Sequence, residues 1–332
     1  MTNPSLPLVH ELIRSACSAP SVHNTQPWSW RVLDLTTIEL YADRGRQLRA
    51  TDPRGRDLTI SCGAALHHLV VAAEAFGVAA EVVLVPAKQA QDLLARIHLT
   101  PGHTDGRAVE MLAALENRVS DRRGFSTWEV PSARVLNLCE AATRWGAHAL
   151  PLTDPLVRHR AEALVEQARG IQAADPRITA EQRAWTDRLD PGSVEGIHTI
   201  NAVPPRRPGT THRPDRFDRP AASPSDTYEN TAPEPEPTDC LVAICTERDD
   251  LRAWLQAGQA MSAVWLQATL GGLALTAESQ VIEVESTRRL LQREVFSYTG
   301  RVQIMLRIGW PEATRPPLPR TPRRSLEDVL RT

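Results

Sequence analysis

Lysine is nearly absent from this chain of 332 residues. Lys88 is the only lysine. Arginine therefore supplies nearly all of the positive charge, and a single arginine is weak evidence of function. The formal net charge of −2 gives no reason to expect attraction to nucleic acid or to an anionic membrane surface. We expect neither class of partner.

Long apolar runs are also missing. The longest, such as Leu69–Ala73 and Leu241–Cys245, are far shorter than the roughly 20 residues that a membrane helix needs. Residues 1–8 lack the basic region and apolar run of a signal peptide. We therefore expect a soluble, cytoplasmic protein.

The chain has few features of a metal or disulfide site. Its five cysteines are odd in number and form no Cys-x-x-Cys pair. The adjacent His67 and His68 would point to different sides of a helix, and no His-Glu-x-x-His motif is present. We predict no metal site, and we expect the thiol of Cys62, which opens a helical region, to be somewhat acidic.

Three common nucleotide and hydrolase motifs are absent. The sequence has no Gly-x-Gly-x-x-Gly, no Gly-x-x-x-x-Gly-Lys and no Gly-x-Ser-x-Gly. A Rossmann dinucleotide site, a P-loop and a nucleophile-elbow hydrolase therefore lack support.

The chain does contain an internal repeat. Residues 62–79 align without gaps to residues 257–274, and Gly63 matches Gly258 at the same offset as Gly77 matches Gly272. Each copy is predicted to be a helix with a face of small residues, ended by a glycine suited to the left-handed cap. Self-similarity over such a distance bears on the whole fold.

The order of elements around each copy is similar. The first half is predicted to contain a helix at Leu8–Cys17, strands at Trp28–Leu33 and Ile38–Tyr41, a long helix at Asp57–Gly77, and strands at Ala80–Val85 and Ala95–Leu99. The second half is predicted to contain a helix at Ala133–Ala142, strands at Ala147–Leu152 and Cys240–Cys245, a long helix at Asp249–Leu270, and a strand at Arg301–Ile308. We therefore predict an α+β protein with two related halves, residues 1–110 and 111–332, fused into a pseudo-dimer.

The second half is interrupted by an insertion, residues 155–238. Its first part is predicted to be helical at Pro155–Ile171 and Ile178–Leu189, whereas residues 203–239 carry nine prolines and little apolar content. On composition alone this latter part is a linker or a disordered region. A long irregular segment within a compact domain is also typical of a lid.

The residue types most suggestive of a ligand site lie in Ala19–Trp28, with the sequence Ala-Pro-Ser-Val-His-Asn-Thr-Gln-Pro-Trp. Asn24 and Gln26 each carry a donor and an acceptor, and Pro27 disfavours helical conformation at Gln26. We therefore predict an extended segment with aligned amides. The alternative is a capped turn that leads into a strand whose Trp28 and Trp30 fill a core.

This segment resembles the flavin-contacting segment of the nitroreductase family, in particular the Acg-type, single-chain, FMN-binding branch. A second stretch, Asp52–Gly63, is similar to the same branch; it includes a β-turn and Arg56, which we expect to pair with an acid across the interface between the halves. The resemblance implies FMN contacts from Ser21, Asn24, Gln26, Pro27, Trp28, Ser29 and Trp30.

Two arginine clusters resemble the phosphate-binding motifs of the same family. Residues 121–126, Asp-Arg-Arg-Gly-Phe-Ser, are similar to its Arg-Arg-Ser-x-Arg-x-Phe opening, although Ser126 stands where the family has a basic residue. Residues 319–329 resemble its closing Arg-[Lys/Arg]-Pro-Leu-Glu-Glu-Val. The resemblance implies phosphate contacts from Arg122, Arg123, Arg323 and Arg324, whereas composition alone is equally consistent with a solvated turn and a basic tail.

The resemblance also implies a function. Nitroreductases pass electrons from NAD(P)H, a transient reductant, through FMN to small nitroaromatic or quinone substrates, and they are usually homodimers, which a fused monomer would imitate. We identify no catalytic acid or base. Two alternatives stay open: a non-catalytic protein that sequesters FMN beneath a lid, and a protein-interaction module built around the proline-rich segment.

Overall fold

The computed structural model describes residues 3–85, 92–104, 106–186, 193–197, 239–297 and 299–331. The helices are α1 (Leu6–Cys17), α2 (Arg56–Ala75), α3 (Gly106–Asn117), α4 (Ser132–Thr143), α5 (Pro155–Ala173), α6 (Pro176–Thr186), α7 (Leu251–Leu270), α8 (Gln280–Glu283), α9 (Glu285–Glu294) and α10 (Leu326–Val329). The strands are β1 (Trp28–Asp34), β2 (Thr37–Ala42), β3 (Val78–Leu84), β4 (Leu93–Pro101), β5 (His148–Pro151), β6 (Cys240–Thr246), β7 (Ala274–Glu278) and β8 (Arg301–Gly309). The predicted α+β class is confirmed.

The strands form two antiparallel sheets with the same internal order. The first sheet has the order β1-β2-β4-β3 and the second β5-β6-β8-β7. In both, the third strand along the chain lies at the edge and pairs with the fourth. The strand β7 was not predicted from the sequence, and without it the second sheet would lack this correspondence.

The two long helices of the repeat, α2 and α7, pack against each other at the centre of the molecule. At their contact, a Cβ added to Gly63 would lie 2.3 Å from the carbonyl oxygen of Leu255, and one added to Gly258 would lie 2.0 Å from that of Ile60. Only glycine permits so close an approach of two helix backbones. The small residues of the repeat therefore set the distance between α2 and α7.

Helix α2 is long and apolar enough to cross a membrane by length and composition, a property that the search for uninterrupted apolar runs missed. In the folded chain, 94% of the apolar window is buried. The helix is surrounded by protein, as the core helix of a soluble protein usually is.

The first helix of the insertion is packed more closely against the rest of the chain than the prediction of a lid implies. Helix α5 contributes Ala161, Leu164, Val165 and Ala168 to a hydrophobic cluster beside the second sheet. The early part of the insertion is therefore packed as core, not as a loose segment. The proline-rich part, residues 203–239, lies outside the described residues except for Asp239.

Candidate functional site

A cavity of about 90 Å³, open to solvent, is lined by residues from two parts of the chain, 20–61 and 120–304. Its walls are formed by the turn before β1, by α2 and α7, by the segment after α3, and by the end of β7. The lining residues are Pro20, Ser21, Val22, His23, Asp57, Ile60, Ser61, Ser120, Arg122, Met261, Trp265, Ala277, Glu278, Ser279, Gln280 and Ile304. Of the predicted site residues, Ser21 and Arg122 are in this lining.

The turn that carries Ser21 is not extended, so this prediction was wrong. Val22–Asn24 form a short 3-10 helix, and the φ angles of His23, Asn24 and Gln26 are +47°, +52° and +49°. The Ser21 hydroxyl accepts a hydrogen bond from the Gln26 amide at 3.0 Å, which closes the turn. Pro27 disfavours the right-handed helical region at Gln26, and the chain takes the left-handed region instead.

The amides of Asn24 and Gln26 do not line the cavity. The Asn24 side chain donates to the Gly196 carbonyl at 3.1 Å, and the Gln26 side chain donates to the Val194 carbonyl at 2.7 Å. Gln26 also accepts from the Arg324 backbone amide at 2.8 Å. These two predicted ligands join the described part of the insertion to the C-terminal segment.

The next four predicted residues, Pro27, Trp28, Ser29 and Trp30, have structural positions. Trp28 and Trp30 are fully buried in the main hydrophobic core, because alternate residues of β1 face inward. Ser29 accepts a hydrogen bond from Arg331 at 2.7 Å. The alternative interpretation, a turn leading into a core strand, is therefore the correct one for the two tryptophans.

The predicted phosphate arginines separate into two groups. Arg123 forms a two-pronged ion pair with Asp121, with its Nη2 atom 2.8 Å from Oδ2 and its Nε atom 2.9 Å from Oδ1, and it does not line the cavity. Arg323 donates to the carbonyl groups of Ser18 and Ala19 at 3.1 and 3.3 Å. Arg323 thus lies beside the start of the cavity turn, whereas Arg123 pairs with Asp121 outside the cavity lining.

Arg324 ties the C-terminal segment to β1. Its guanidinium donates to the backbone oxygens of Gln26 and Trp28 at 3.2 and 3.4 Å. The contact brings together residues that lie 298 and 296 positions apart in the chain. The two family-like motifs therefore meet in the fold, through backbone contacts.

Sequence reasoning missed Arg118, which is buried beside Arg122 and Arg323. Its Nε and Nη1 atoms have no hydrogen-bond partner among the described residues, and the Nε atom of Arg323 has none either. Burial first, and then the charges of Arg323, Arg122 and Arg320, lower the pKa of Arg118 to about 9. A bound anion would supply the missing acceptors and balance this charge.

The part of the cavity wall next to Arg118 is apolar. Trp265, Met261 and Ile60 give it an apolar surface, and the Arg118 guanidinium lies 5.0 Å from the Trp265 ring centroid. Ser61 donates to the Asp57 carbonyl and accepts from the Val22 amide at 3.1 Å, which fixes the turn on α2. The cavity thus combines an apolar face with a cationic end.

Two expectations about the start of α2 need correction. The acid that pairs with Arg56 is its neighbour Asp57, at 2.6 Å, while its contact across the halves is a 2.7 Å hydrogen bond to the Gln303 carbonyl. The Cys62 thiol is fully buried, and burial raises its pKa. It is therefore a core residue and not an acidic thiol.

Two proteins of Mycobacterium tuberculosis are similar to the chain over nearly its whole length. One, named "Putative NAD(P)H nitroreductase", is 38% identical over 331 residues, which cover 98% of this chain and 92% of the relative. The other, named "Putative NAD(P)H nitroreductase acg", is 30% identical over 330 residues, which cover 97% and 95%. The chain belongs to the nitroreductase family.

The comparisons with family models and with solved structures give weaker matches. No protein-family model matches the chain. Among solved structures, the FMN-dependent nitroreductase NfnB from Mycobacterium smegmatis, in complex with NADPH, is 15% identical with a TM-score of 0.42, over 68% of this chain and 99% of that one.

The family's Arg-Arg-Ser-x-Arg opening fits this nitroreductase better four residues earlier than the sequence analysis placed it. Starting at Arg118, the pattern has Ser120 at its serine and Arg122 at its third basic position. A backbone bridge from Ser120 to Leu275 holds this segment beside β7. This placement removes the departure at Ser126, but it puts Val119 at the second arginine and Gly124 at the phenylalanine of the pattern. The alternation of arginine and serine was the signal that could have revealed Arg118.

The end of β7 and the residues after it were also missed. Ala277, Glu278, Ser279 and Gln280 line the cavity opposite the turn. No sequence motif marks them, and β7 itself was not predicted. Only the pairing of β7 with β8 brings them to the site.

Proposed function

We propose that the protein binds FMN non-covalently in the cavity and uses NAD(P)H to reduce nitroaromatic or quinone compounds. The names of its relatives support this activity, as does a cavity with an apolar wall and a cationic end. When bound, FMN would accept a hydride from the nicotinamide and pass its electrons to the acceptor. The residues of the chain would bind it, orient it and control access to it.

One observation carries the proposal: buried guanidinium groups, some of whose N–H donors have no partner among the described residues, lie next to a solvent-open cavity with an apolar wall. An uncompensated buried cation is costly, and Arg118 lacks an acceptor at two nitrogen atoms. A phosphate offers several acceptor oxygens and two negative charges. Arg118, Arg122 and Arg323 are thus the proposed phosphate ligands, with Ser120 and Ser21 as hydroxyl contacts.

We further propose a single flavin for each chain, in a monomer that imitates a family dimer. The supporting features are the equal strand order of the two sheets, the glycine contact of α2 with α7, and a cavity lined from both halves. The proposed halves are residues 1–110 and 111–332, although α3 runs across that boundary. We propose a cytoplasmic location for the protein.

An alternative function is storage of FMN beneath a lid formed by the insertion, residues 155–238. It is favoured by the contacts of residues 193–197 with the cavity turn, because the Asn24 and Gln26 amides both bind this segment. An ion pair of 2.6 Å between Glu195 and Arg46 adds to them. A covered flavin could not stack against a nicotinamide.

The test begins with the purified protein, whose released flavin is identified by chromatography after denaturation. We expect FMN at about one molecule per chain. In Arg118→Met the loss of charge-assisted bonds, worth about 1.5–3 kcal/mol each, should raise the FMN dissociation constant at least about tenfold. Arg123→Gln is the matched control and should change it less than about twofold.

Two results would overturn the FMN site: FAD or two flavins per chain, or equal FMN affinity in Arg118→Met and the wild type. Anaerobic mixing with NADPH then separates the two functions. Rapid bleaching of the flavin absorbance supports the reductase. A flavin that stays oxidised supports storage.

A further inference from the structure

His23 lies in the cavity wall, and nothing in the proposed FMN contacts assigns it a role. It is 4% exposed and lies between Val22 and the left-handed Asn24. Its own φ of +47° is unusual for a residue with a side chain, and such conformations are kept where the surrounding structure over-determines them. The turn therefore holds an imidazole in the wall of the site.

The proposed reaction requires a proton in addition to a hydride. Reduction of a nitro group to a nitroso group consumes two electrons and two protons, breaks one N–O bond and releases the oxygen as water. A reduced nicotinamide supplies a hydride, which is both electrons and one of these protons. The second proton must come from the protein or from solvent.

The other charged groups at the cavity are already committed to ion pairs or keep a fixed charge. Asp57 pairs with Arg56 at 2.6 Å, and Glu278 pairs with Arg169 at 3.3 Å. Arg122 stays protonated at all ordinary pH values. The charged residues on the segments packed against the His23 turn are Arg56, Asp57 and Glu74 of α2, Arg177, Glu181 and Arg183 of α6, Arg46, Glu195, and Arg323 and Arg324 of the C-terminal segment.

We propose that His23 is the proton donor to the bound acceptor. Imidazole is the side chain that changes its charge between about pH 5 and 8, so it can give a proton at neutral pH and recover one from solvent through the open mouth of the cavity. The inference rests on the proposed reductase function. It adds a catalytic residue of the chain, His23, to the reduction of nitroaromatic and quinone acceptors.

The kinetic test compares acceptors that need protons with one that does not. Asparagine tolerates the left-handed conformation, so His23→Asn keeps the turn while removing the titratable group. We expect its kcat/KM for a nitroaromatic and a quinone to fall about a hundredfold or more. Reduction of ferricyanide, which takes an electron and no proton, should stay within about twofold of the wild type, as should flavin content.

The matched control is His148→Asn, a change at an exposed residue of β5, which should alter none of these rates. The design also separates this inference from the reductase function. A protein without flavin, or one that cannot reduce ferricyanide, contradicts the reductase function. If His23→Asn loses as much ferricyanide reduction as nitroaromatic reduction, the role of His23 is contradicted and the reductase function is not.

A second readout does not depend on turnover. Benzoate is planar, and its carboxylate has the shape of a nitro group, so it serves as an unreactive acceptor analogue. If His23 faces the acceptor, the NMR titration of its imidazole, assigned by its absence in His23→Asn, should move to higher pKa when benzoate binds. An imidazole whose titration ignores benzoate, or benzoate affinity that is unchanged in His23→Asn at every pH, would overturn the proposal.

Discussion

The buried imidazoles of α2 show how position decides the role of a residue type. His67 shares a hydrogen bond of 2.8 Å with Ser262 of α7, and His68 shares one of 3.0 Å with Ser18. Burial first, and then the charge of Arg144, lowers the pKa of His67 to about 3, and burial followed by the charge of Arg118 lowers that of His68. Both are therefore neutral core residues.

Acid should destabilise the protein through these two residues. Their folded pKa values lie below the unfolded value of about 6.5, so below that pH the unfolded chain binds protons that the folded chain does not. The free energy of unfolding should fall by about 1.4 kcal/mol per pH unit for each imidazole. Urea unfolding at several pH values between 7 and 5 should show a shallower decline in His67→Asn than in the wild type.

His148→Asn is again the control, because His148 is exposed on β5. If His67→Asn and the wild type lose stability in parallel as the pH falls, His67 is not a buried neutral group.

Among the elements, the crossing of α2 and α7 sets the shape of the site. Asp57, Ile60 and Ser61 of α2 face Met261 and Trp265 of α7 across the cavity. The helices can approach because Gly63 and Gly258 leave room for the opposing backbones. The contact is thus both a packing feature and a wall of the cavity.

Gly258→Ala should separate the two helices. A methyl group there meets the Ile60 carbonyl oxygen at 2.0 Å and the Gly63 Cα at 2.9 Å, both backbone atoms that cannot rotate away. Overpacking of this kind costs about 1–3 kcal/mol or more, and the displaced walls should also weaken FMN binding. Chemical denaturation and flavin titration measure the two effects.

Gly170→Ala in α5 is the matched control, since a methyl group there has no neighbour within 4 Å. It should leave stability unchanged or raise it by up to about 1 kcal/mol, because alanine favours helix. Equal effects of the two substitutions would show that the helix contact is not a close one.

At the scale of the whole molecule, the insertion is anchored at both ends. The carboxylate of Asp239, the residue that directly follows it, binds Arg158 of α5 and Arg307 of β8, each at 2.7 Å. Burial raises the pKa of Asp239, but the two arginine charges outweigh it and hold the pKa below its usual value. The anchor joins the first helix of the insertion to the second sheet.

Two deletions test whether the insertion acts as a lid. Replacing residues 198–238 with a Gly/Ser linker should keep the fold and FMN, because α5, α6 and Asp239 remain, and should speed reduction by NADPH if this part covers the flavin. Replacing all of 155–238 removes Arg158 and exposes the cluster beside the second sheet. That variant should unfold at lower temperature or aggregate.

The measurements are thermal unfolding, flavin content and anaerobic reduction rate. If the short deletion leaves the reduction rate unchanged, residues 198–238 are not a lid. If the long deletion is as stable as the short one, α5 contributes no core.

The sequence by itself determined the secondary structure wherever its pattern was strong. The hairpin at β1 and β2, both long helices and β8 lie within a few residues of their predicted bounds, since these segments carry regular apolar periodicity. The repeat in α2 and α7 was readable because close helix packing demands small residues. Family membership was likewise readable, in Ala19–Trp28 and Asp52–Gly63.

Only the tertiary structure decided which polar residues form the site. The sequence places Arg122 and Arg123 side by side, yet one lines the cavity and the other pairs with Asp121. Arg118 becomes a candidate because the fold buries it without acceptors, and Glu278 because β7 ends at the cavity. Arg123 pairs with a residue two positions away, but Arg118 is buried beside Trp265 and Arg323, more than a hundred positions away in the chain, and no local pattern carries that information.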